Sequence, residues 1–482
     1  MPNTFAYLVL GLAPVAIWFL FKKLPAGQAL IWSLVGCYLI LPPYPVAFDP
    51  PLMPALNKTT LPNLAVFVFW ILFAKPNADL LPKSLLARAL ITVFLFSPII
   101  TVVTNPEPLI FAQSSIRGLV MLDAVGIILT QFMTIAGFLA ARGLLATAAS
   151  QKDIMRIFVV AGLAFSLPVL VEVRLSPQMN TWVYGFFQHL FAQSIRGSGF
   201  RPMVFLEHGI WVAFFVMMTC MFAMALFRNG TPGTRTRYLL AGVYLFGVLI
   251  LCKTLAALLY GGFVGVLVLL ASRRLQAHIA VLLALFALAY PILKGADVIP
   301  ERAMLEQAAK VSAERAQSLA FRFSNEEELL RRVQQKPVFG WGTWGRNQEH
   351  NYFTGQIESV TDGRWIIVIG MFGWVGFLAE FGLLALPIFL VWLEQGRIER
   401  DKQNNRSDRD ETWGRLEHSP YVGALLLVLA INLVDLLPNA TLTPLTWLVA
   451  GALLGHAELM ARWRRDTKAI EPMVVTEKRT YM

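Results

Sequence analysis

The chain has 482 residues, of which 56% are hydrophobic and only 15% are charged, with a mean hydropathy of +0.59. Soluble globular domains carry about a quarter charged residues, so this composition excludes a water-soluble protein of ordinary surface. The formal net charge is +11, but the basic residues are spread between apolar runs and form no basic domain of a nucleic-acid-binding kind. We therefore expect membrane lipids and anionic substrates as partners, and no nucleic acid.

Apolar runs recur along the whole chain at the length that a membrane-spanning helix requires, about 20 residues. Residues 1–7 carry no Lys or Arg, and the charges Lys22 and Lys23 follow the first apolar run, so this run is interpreted as a retained helix and not as a signal peptide. The sequence predicts an all-α, polytopic membrane protein with about 13 transmembrane helices, at 4–21, 27–42, 61–75, 85–104, 119–141, 154–172, 203–227, 238–252, 254–271, 277–293, 365–393, 419–437 and 443–461.

The distribution of positive charge predicts the orientation of these helices. Cytoplasmic loops collect Lys and Arg, and alternate loops of this chain hold 25 of its 41 basic residues. The basic loops are predicted to be cytoplasmic, and they are 22–26, 75–88, 142–156, 228–237, 273–274, 394–418 and the tail 462–482. The N-terminus is then outside and the C-terminus inside, which places the long connection 296–364 on the extracytoplasmic side.

The predicted organisation has four parts. Residues 1–295 hold transmembrane helices 1–10, and 296–364 form an extracytoplasmic helical loop. Residues 365–461 hold helices 11–13, and 462–482 form a basic cytoplasmic tail. Acidic residues inside predicted spans, Glu380 and Asp435, are costly in lipid and are expected to have helix-pairing partners.

An amphipathic helix is predicted over 177–195, before the seventh span. Ser176 and Pro177 are suitable N-cap and first-turn residues, and an apolar stripe follows helical spacing through Met179, Trp182, Val183, Phe186, Phe187, Leu190 and Phe191. Such a helix lies in the membrane interface or packs as a re-entrant segment. It leads to Arg196-Gly-Ser-Gly-Phe-Arg201, where Arg196 either binds an anion or compensates the helix C-terminus.

The loop 296–364 is predicted to be helical. One helix is expected over 301–319 and a second from Ser324, capped by Glu327, with Arg322 in the hinge between them.

A glycine-tryptophan segment follows, and it matches the G-x-G-x-x-G nucleotide fingerprint by letter only. The segment is Pro337-Val-Phe-Gly-Trp-Gly-Thr-Trp-Gly345. No strand-then-helix unit surrounds it, so nucleotide binding is not predicted. The segment either shapes the loop or stacks on a sugar ring.

Four segments occur in a characteristic order between residues 150 and 395. They are Arg196-Gly-Ser-Gly-Phe-Arg201, Lys253-Thr-Leu-Ala-Ala-Leu at the start of a span, Arg322 before Pro337-Val-Phe-Gly-Trp-Gly, and Gly370-Met-Phe-Gly-Trp-Val-Gly376. In these segments the chain resembles the O-antigen ligase and polysaccharide polymerase superfamily. Ligases of this family place a His-Asn pair just before that last glycine-bearing span, where this chain has Thr361-Asp362-Gly363; its own pair, His350-Asn351, lies earlier.

The resemblance implies a bacterial inner-membrane glycosyltransferase that takes glycan from an undecaprenyl-pyrophosphate carrier. The acceptor would be the hydroxyl of a glycan or a lipid, and the product a surface or exopolysaccharide. Both a ligase and a polymerase of repeat units fit.

The leaving pyrophosphate is anionic, and fixed cations near the membrane surface can hold it. Arg196, Arg201, Lys253 and Arg322 are the candidates. The candidates for a general base are His350, Glu207, His208 and Asp362, among which a histidine titrates nearest to neutral pH. These residues also have non-catalytic interpretations. Glu207 and His208 could anchor the start of a span at the membrane interface, and His350 could be a solvated loop residue.

Two other classes compete with an enzyme. A transporter or flippase of the same lipid-linked glycan would show half-repeats and broken helices with charges near the midplane, and the sequence shows no internal repeat. A non-catalytic scaffold would leave the basic residues replaceable. No metal-ligand spacing is apparent, so no metal or other cofactor is expected.

Overall fold

The computed structural model describes residues 1–73, 79–197, 199–404 and 419–479. Parts of the predicted cytoplasmic loops 75–88 and 394–418, Ser198, and the end of the predicted tail lie outside the described residues. The described ranges form an all-α fold with three two-residue β-hairpins.

The helices are α1 Thr4–Lys23, α2 Ala26–Ile40, α3 Thr60–Phe73, α4 Leu85–Val103, α5 Met121–Leu144, α6 Ala148–Leu175, α7 Met179–Tyr184, α8 Gly209–Arg228, α9 Pro232–Leu251, α10 Leu255–Leu270, α11 Arg273–Gly295, α12 Glu301–Val311, α13 Ala313–Gln335, α14 Arg364–Asn404, α15 Val422–Asp435 and α16 Pro444–Arg479. The strands pair antiparallel as β1 Ala47–Phe48 with β2 Leu56–Asn57, β3 Leu109–Ile110 with β4 Ser115–Ile116, and β5 Ile195–Arg196 with β6 Gly199–Phe200.

A helix is present at each of the thirteen predicted span positions within the described ranges. Nine are long and apolar enough to cross a membrane: α1, α4, α5, α6, α8, α9, α11, α14 and α16. The other four, α2, α3, α10 and α15, have 14 to 16 residues, which is about 21 to 24 Å at 1.5 Å per residue and short of a 30 Å hydrocarbon layer. The chain is a multi-pass membrane protein, and thirteen complete spans stay a prediction.

The helices differ in how much of their apolar surface the bundle covers. The most hydrophobic windows of α8 and α16 are mostly buried inside the protein, whereas those of α1 and α9 are mostly exposed. An apolar helix that exposes most of its side chains requires an apolar solvent. The helices α1 and α9 therefore form part of the lipid-facing perimeter, and α16 packs centrally against α5 and α14.

The break between α9 and α10 falls at the position where Lys253 interrupts the apolar sequence. The helix α9 ends at Leu251, and α10 begins at Leu255. Lys253 has a φ of 52°, a left-handed conformation that a continuous right-handed helix does not accommodate. The chain consequently reverses here, and the Lys253 side chain stands at the end of the bundle.

The helix α14 is discontinuous at Gly373, whose φ of 65° and ψ of −167° are not helical. The loop at 337–342 replaces the missing helical hydrogen bonds. Its Trp341 and Gly342 N–H groups donate to the carbonyls of Gly370 and Met371, and its own carbonyls accept from the α14 backbone beyond the break. The glycine-rich sequences of both segments are explained by this close backbone contact.

The acids predicted to need partners inside the spans have them. Glu380 accepts two hydrogen bonds of 2.6 Å from Arg364. In a straight helix these residues would be about 24 Å apart, so the break in α14 is what brings them together. Asp435 accepts from Asn439 at 3.0 Å and from Thr441 at 2.6 Å.

The predicted continuous helix over 177–195 is not found. Only α7 is α-helical, and it ends at Gly185, which adopts a left-handed φ of 81°. Downstream, the Gln188 side chain donates to the carbonyls of Val204 and Leu206, each at 3.0 Å. These tertiary hydrogen bonds to a returning segment hold the backbone in a fold that the apolar periodicity did not indicate.

The loop after α11 is helical as predicted, but with a different boundary. The break between α12 and α13 lies at Ser312, so Arg322 is inside α13 and not in a hinge. Ser324 is a helix-interior residue and forms no capping box. At the other end of the chain α16 continues without a break into the segment predicted as a separate tail.

Candidate functional site

A cavity of about 1610 Å³ opens at the end of the bundle that carries α12 and α13. It is lined by residues from 189–211, 250–258, 308–322, 360–362 and 438–441. These are the connections α6–α8, α9–α10, α11–α14 and α15–α16 with adjoining helix ends. Segments remote in sequence therefore meet at one end of the helix bundle.

The four cations predicted to bind an anion all line this cavity. They are Arg196, Arg201, Lys253 and Arg322. Two come from the connection before α8, one from the break between α9 and α10, and one from α13. Like charges in one cavity repel unless an anion or acidic side chains compensate them.

The connection between α6 and α8, which carries two of the arginines, is anchored by the buried carboxylate of Glu172. One Glu172 oxygen accepts the backbone N–H groups of Gln178 and Met179, and the other accepts those of Met203 and Val204, all between 2.7 and 3.0 Å. One side chain thus joins the start and the end of the segment. Such hydrogen bonds to an ionised acceptor are among the stronger ones in proteins.

Arg201 is the most enclosed of the four cations, at 8% relative exposure. Its Cγ and Cδ cross directly over Gly209, where any Cβ would overlap them. Its Nε is buried without a hydrogen-bond partner in the described part of the chain. Burial, reinforced by the charges of Arg196 and Arg322, lowers the pKa of Arg201 to about 10, which leaves it charged at neutral pH and in need of an anion.

Lys253 and Arg196 are held next to each other. The Lys253 ammonium donates to the Arg196 carbonyl at 3.1 Å, across the β5–β6 hairpin. The Arg196 guanidinium lies 3.6 Å from Glu314 of α13. Since Glu314 is largely exposed, this ion pair is weak, and it links the hairpin loosely to α13.

Arg322 makes the second ion pair across the cavity, with its Nε 3.3 Å from Asp362 Oδ2. The helix that carries it is fixed one turn later by Glu326, which lies 3.9 Å from Lys294 and accepts a hydrogen bond of 3.2 Å from the Tyr290 hydroxyl. Lys294 also pairs with Glu301 of α12. Burial raises the pKa of Glu326 to about 7, against the opposing charge of Lys294.

Glu207 also lines the cavity. Burial raises its pKa, while the charge of Lys58 and a backbone hydrogen bond from Tyr44 lower it. The Lys58 ammonium is itself buried, donates to the Phe205 carbonyl at 2.6 Å, and has a pKa lowered by burial to about 7. In the described part of the chain, no ion-pair partner lies within 4.0 Å of Glu207, in contrast to Glu314 and Asp362.

His208 lines the cavity beside Glu207 and contacts His189, with ring centroids 4.8 Å apart. Burial and the charge of Arg201 are the main causes that lower the pKa of His208 to about 3. The ring is therefore uncharged across the physiological range.

His350 does not lie in the cavity. Its ring packs 5.2 Å from that of Phe111 and its backbone pairs with Ile357. Burial and the charge of Arg332 lower its pKa. The structure therefore brings Glu207, His208 and Asp362 together with the four cations, and it leaves His350 apart from them.

The two tryptophans of the glycine-tryptophan segment have different surroundings. Trp341 is buried, and its indole N–H donates to the Arg332 carbonyl at 3.0 Å. Trp344 is 62% exposed and donates to Asp123 at the start of α5. Trp341 shapes the loop against the broken helix α14, and it is not placed to stack on a sugar.

Sequence reasoning missed several residues that form the site. Glu172 is the last residue of the predicted span 154–172, and no local pattern indicates its hydrogen bonds to two distant backbone segments. Asn439 and Thr441, which line the cavity and hold Asp435, follow the predicted span 419–437. The sequence signal for these two residues was Asp435 near the end of an apolar run, followed by Pro438-Asn-Ala-Thr441, whose polar side chains can satisfy the carboxylate.

The fold and the cavity define a multi-pass helical membrane protein with a cation-lined site at one end of its bundle. No protein-family model matches the chain, and no curated protein is significantly similar to it.

Proposed function

We propose that this protein is a glycosyltransferase that polymerises or ligates a surface or exopolysaccharide, with an undecaprenyl-pyrophosphate-linked glycan as the donor and a glycan or lipid hydroxyl as the acceptor. The observation that carries the proposal is the convergence of Arg196, Arg201, Lys253 and Arg322 on one cavity. A pyrophosphate diester carries two negative charges, and guanidinium groups match its oxygens in geometry and charge.

The size and the surroundings of the cavity support a bulky substrate with a lipid portion. A volume of about 1610 Å³ exceeds the 300–1,000 Å³ typical of small-molecule sites. The cavity lining includes Ile250 and Leu255, two exposed apolar side chains at the ends of α9 and α10, and α9 forms part of the lipid-facing perimeter. A polyprenyl chain can lie along this perimeter while its headgroup reaches the cations.

The proposed reaction is a displacement at the anomeric carbon of the donor. The acceptor hydroxyl oxygen forms the new glycosidic bond, the bond from the anomeric carbon to the pyrophosphate oxygen breaks, and undecaprenyl pyrophosphate leaves with the bonding electron pair. The cations stabilise the charge that develops on the leaving oxygen. Glu207 takes the hydroxyl proton, because its raised pKa and its lack of an ion-pair partner among the described residues suit a general base.

Asp362 and Glu314 are assigned a different role from Glu207. Each is paired with an arginine, and a paired carboxylate is a weaker base. We propose that they balance Arg322 and Arg196 until the pyrophosphate enters and takes their place.

The location follows from the charge distribution of the loops. We propose that the protein resides in a bacterial inner membrane with the cavity on the extracytoplasmic face, where lipid-linked glycans are used by the resembled family. Impermeant maleimide labelling of a cysteine at Ser318 in the cavity wall, compared with one at Asn229 after α8, tests this orientation in intact cells. Labelling of Asn229→Cys alone would reverse it.

A transporter of the same lipid-linked glycan is the second candidate, and the break in α14 favours it. Broken helices with buried charges occur at substrate sites of transporters, and α14 combines the Gly373 break with the Arg364–Glu380 pair. However, the loop 337–342 fills that break with backbone hydrogen bonds, and the break does not line the cavity.

Reconstitution separates the two candidates. The purified protein in liposomes receives a defined undecaprenyl-pyrophosphate oligosaccharide and a matching acceptor glycan, and products are read by mass spectrometry. Glycosyl transfer yields elongated acceptor and undecaprenyl pyrophosphate in equal amounts. Movement of intact donor between leaflets, with no change in its mass, would instead establish the transporter.

A further inference from the structure

His208 and His189 form a pair of imidazoles in the cavity wall, and local backbone contacts determine which ring nitrogen of each is free to face the cavity. His208 Nδ1 accepts the N–H of Ile210 at 3.1 Å as the N-cap of α8. His189 Nδ1 accepts the N–H of Leu190 at 2.7 Å. A neutral imidazole carries one proton, so the nitrogen that accepts a hydrogen bond leaves the proton on the other nitrogen. The neutral form of each ring is therefore the Nε2–H tautomer.

This arrangement makes each imidazole a hydrogen-bond donor on its free side and removes its capacity to act as a base there. Burial disfavours the charged form of His208, and nearby positive charges, that of Arg201 foremost, lower its pKa further. Arg201 provides an independent indication of anion binding, since its buried Nε has no hydrogen-bond partner in the described ranges.

We infer that the Nε2–H groups of His208 and His189 donate hydrogen bonds to the pyrophosphate oxygens of the ligand, alongside Arg201, and that neither histidine is a proton acceptor. The inference rests on the proposed function for the identity of the ligand as a polyprenyl-linked pyrophosphate. A neutral donor adds a hydrogen bond to the anion without adding repulsion to a cavity that already holds four cations.

Two substitutions of His208 separate its two nitrogens. Asparagine places a side-chain oxygen where Nδ1 lies and is a favoured N-cap residue, but it has no group at the Nε2 position. Glutamine reaches the Nε2 position with an N–H but caps the helix poorly. His208→Asn therefore retains the cap and loses the donor, and His208→Gln does the reverse. His189→Asn and His189→Gln form the same pair at the second ring.

The measurement is calorimetric binding of inorganic pyrophosphate and of farnesyl pyrophosphate to the protein in nanodiscs. We expect His208→Gln to bind within about threefold of the parental protein, and His208→Asn to bind roughly 10- to 100-fold more weakly, the scale of one hydrogen bond to a charged group. His208→Asn should have the higher Tm of the two, which excludes misfolding as the cause. His350→Gln, outside the cavity, is the control and should bind as the parental protein does.

Other results would overturn the inference. Parental affinity in His208→Asn, an equal loss in both variants, or no pyrophosphate binding by the parental protein each contradicts it. Equal affinities for inorganic pyrophosphate and farnesyl pyrophosphate would contradict the claim that the bound pyrophosphate belongs to a polyprenyl lipid. Glycan transfer assays distinguish failure of the proposed function from failure of this inference. If pyrophosphate binds with the expected pattern among the variants but no glycan is transferred, the histidine inference holds and the glycosyltransferase proposal fails. If both His208 variants transfer glycan at the parental rate, the glycosyltransferase proposal holds and the histidine inference fails.

Discussion

Arg322 and Asp362 face each other in the cavity wall, with Nε 3.3 Å from Oδ2, and the two side chains are 32% and 39% exposed. A pair this accessible to solvent contributes little to stability. Its position has a larger consequence for ligand binding, because an incoming anion and Asp362 compete for the same guanidinium.

The first prediction follows from this competition. Asp362→Asn removes the competing charge but retains the size of the side chain, so pyrophosphate should bind several-fold more tightly and turnover should stay within about fivefold of parental, well below the effect of losing a base. Calorimetry and initial rates measure the two effects. Glu358→Gln, in the same loop but outside the cavity, is the control. A loss of turnover of 100-fold would instead identify Asp362 as the base.

The second prediction concerns the identity of the base. Glu207→Gln should lower turnover by about 10² to 10⁴, the contribution of general base catalysis, with only a small change in donor KM. His350→Ala should leave turnover near the parental value, because His350 packs on Phe111 away from the cavity. A large loss of turnover in His350→Ala together with a small loss in Glu207→Gln would instead identify His350 as the general base.

The third prediction concerns the junction between loop 337–342 and α14. Gly373 has a conformation that only glycine adopts readily, and a Cβ there would overlap the Val338 carbonyl. Gly373→Ala should lower the free energy of unfolding by about 1–3 kcal/mol or more. Gly396→Ala, later in the same helix with open space around its position, should be neutral or stabilising by about 0.5–1 kcal/mol. Equal Tm values for the two variants would contradict the claim that the contact between loop 337–342 and α14 requires glycine at position 373.

The fourth prediction is a pH dependence of stability that arises from Glu326. Its pKa is raised to about 7 in the folded protein from 4.5, so its stabilising contribution is complete below pH 4.5 and is lost as pH rises through 7. The loss amounts to about 3 kcal/mol at 1.36 kcal/mol per pKa unit. Tm should therefore fall less between pH 5 and pH 8 in Glu326→Gln than in the parental protein. Glu327→Gln, exposed on the same helix, should keep the parental dependence.

Much of the helical framework could be predicted because hydropathy is a local property. Within the described residues a helix lies at each predicted span position, and the break at Lys253 is present, although α8 begins at Gly209 and not at the predicted position 203. Predictions failed where tertiary contacts override local patterns. The stripe over 177–195 has helical spacing, yet Gly185 and the hydrogen bonds of Gln188 to Val204 and Leu206 end the helix after six residues.

The cavity could be anticipated only in part. Arg196, Arg201, Lys253 and Arg322 stand out as charges beside apolar runs, so they could be selected from the sequence. Glu172 could not be assigned its role, because its function is to join two backbone segments about 25 residues apart (178–179 and 203–204). The separation of His350 from the cavity likewise depends on its packing against a hairpin remote in sequence.

The central claim is that the converging cations act on a leaving pyrophosphate, and it is tested most directly by glycan transfer with Arg201→Ala and Arg322→Ala in liposomes of equal protein content. Each variant should lose 10²-fold or more in turnover, and lysine at either position should restore only part of it, because an ammonium lacks the bidentate fork. Arg331→Ala, exposed on α13 outside the cavity, should transfer at the parental rate. Parental turnover in both Arg201→Ala and Arg322→Ala would contradict the glycosyltransferase assignment and favour the transporter.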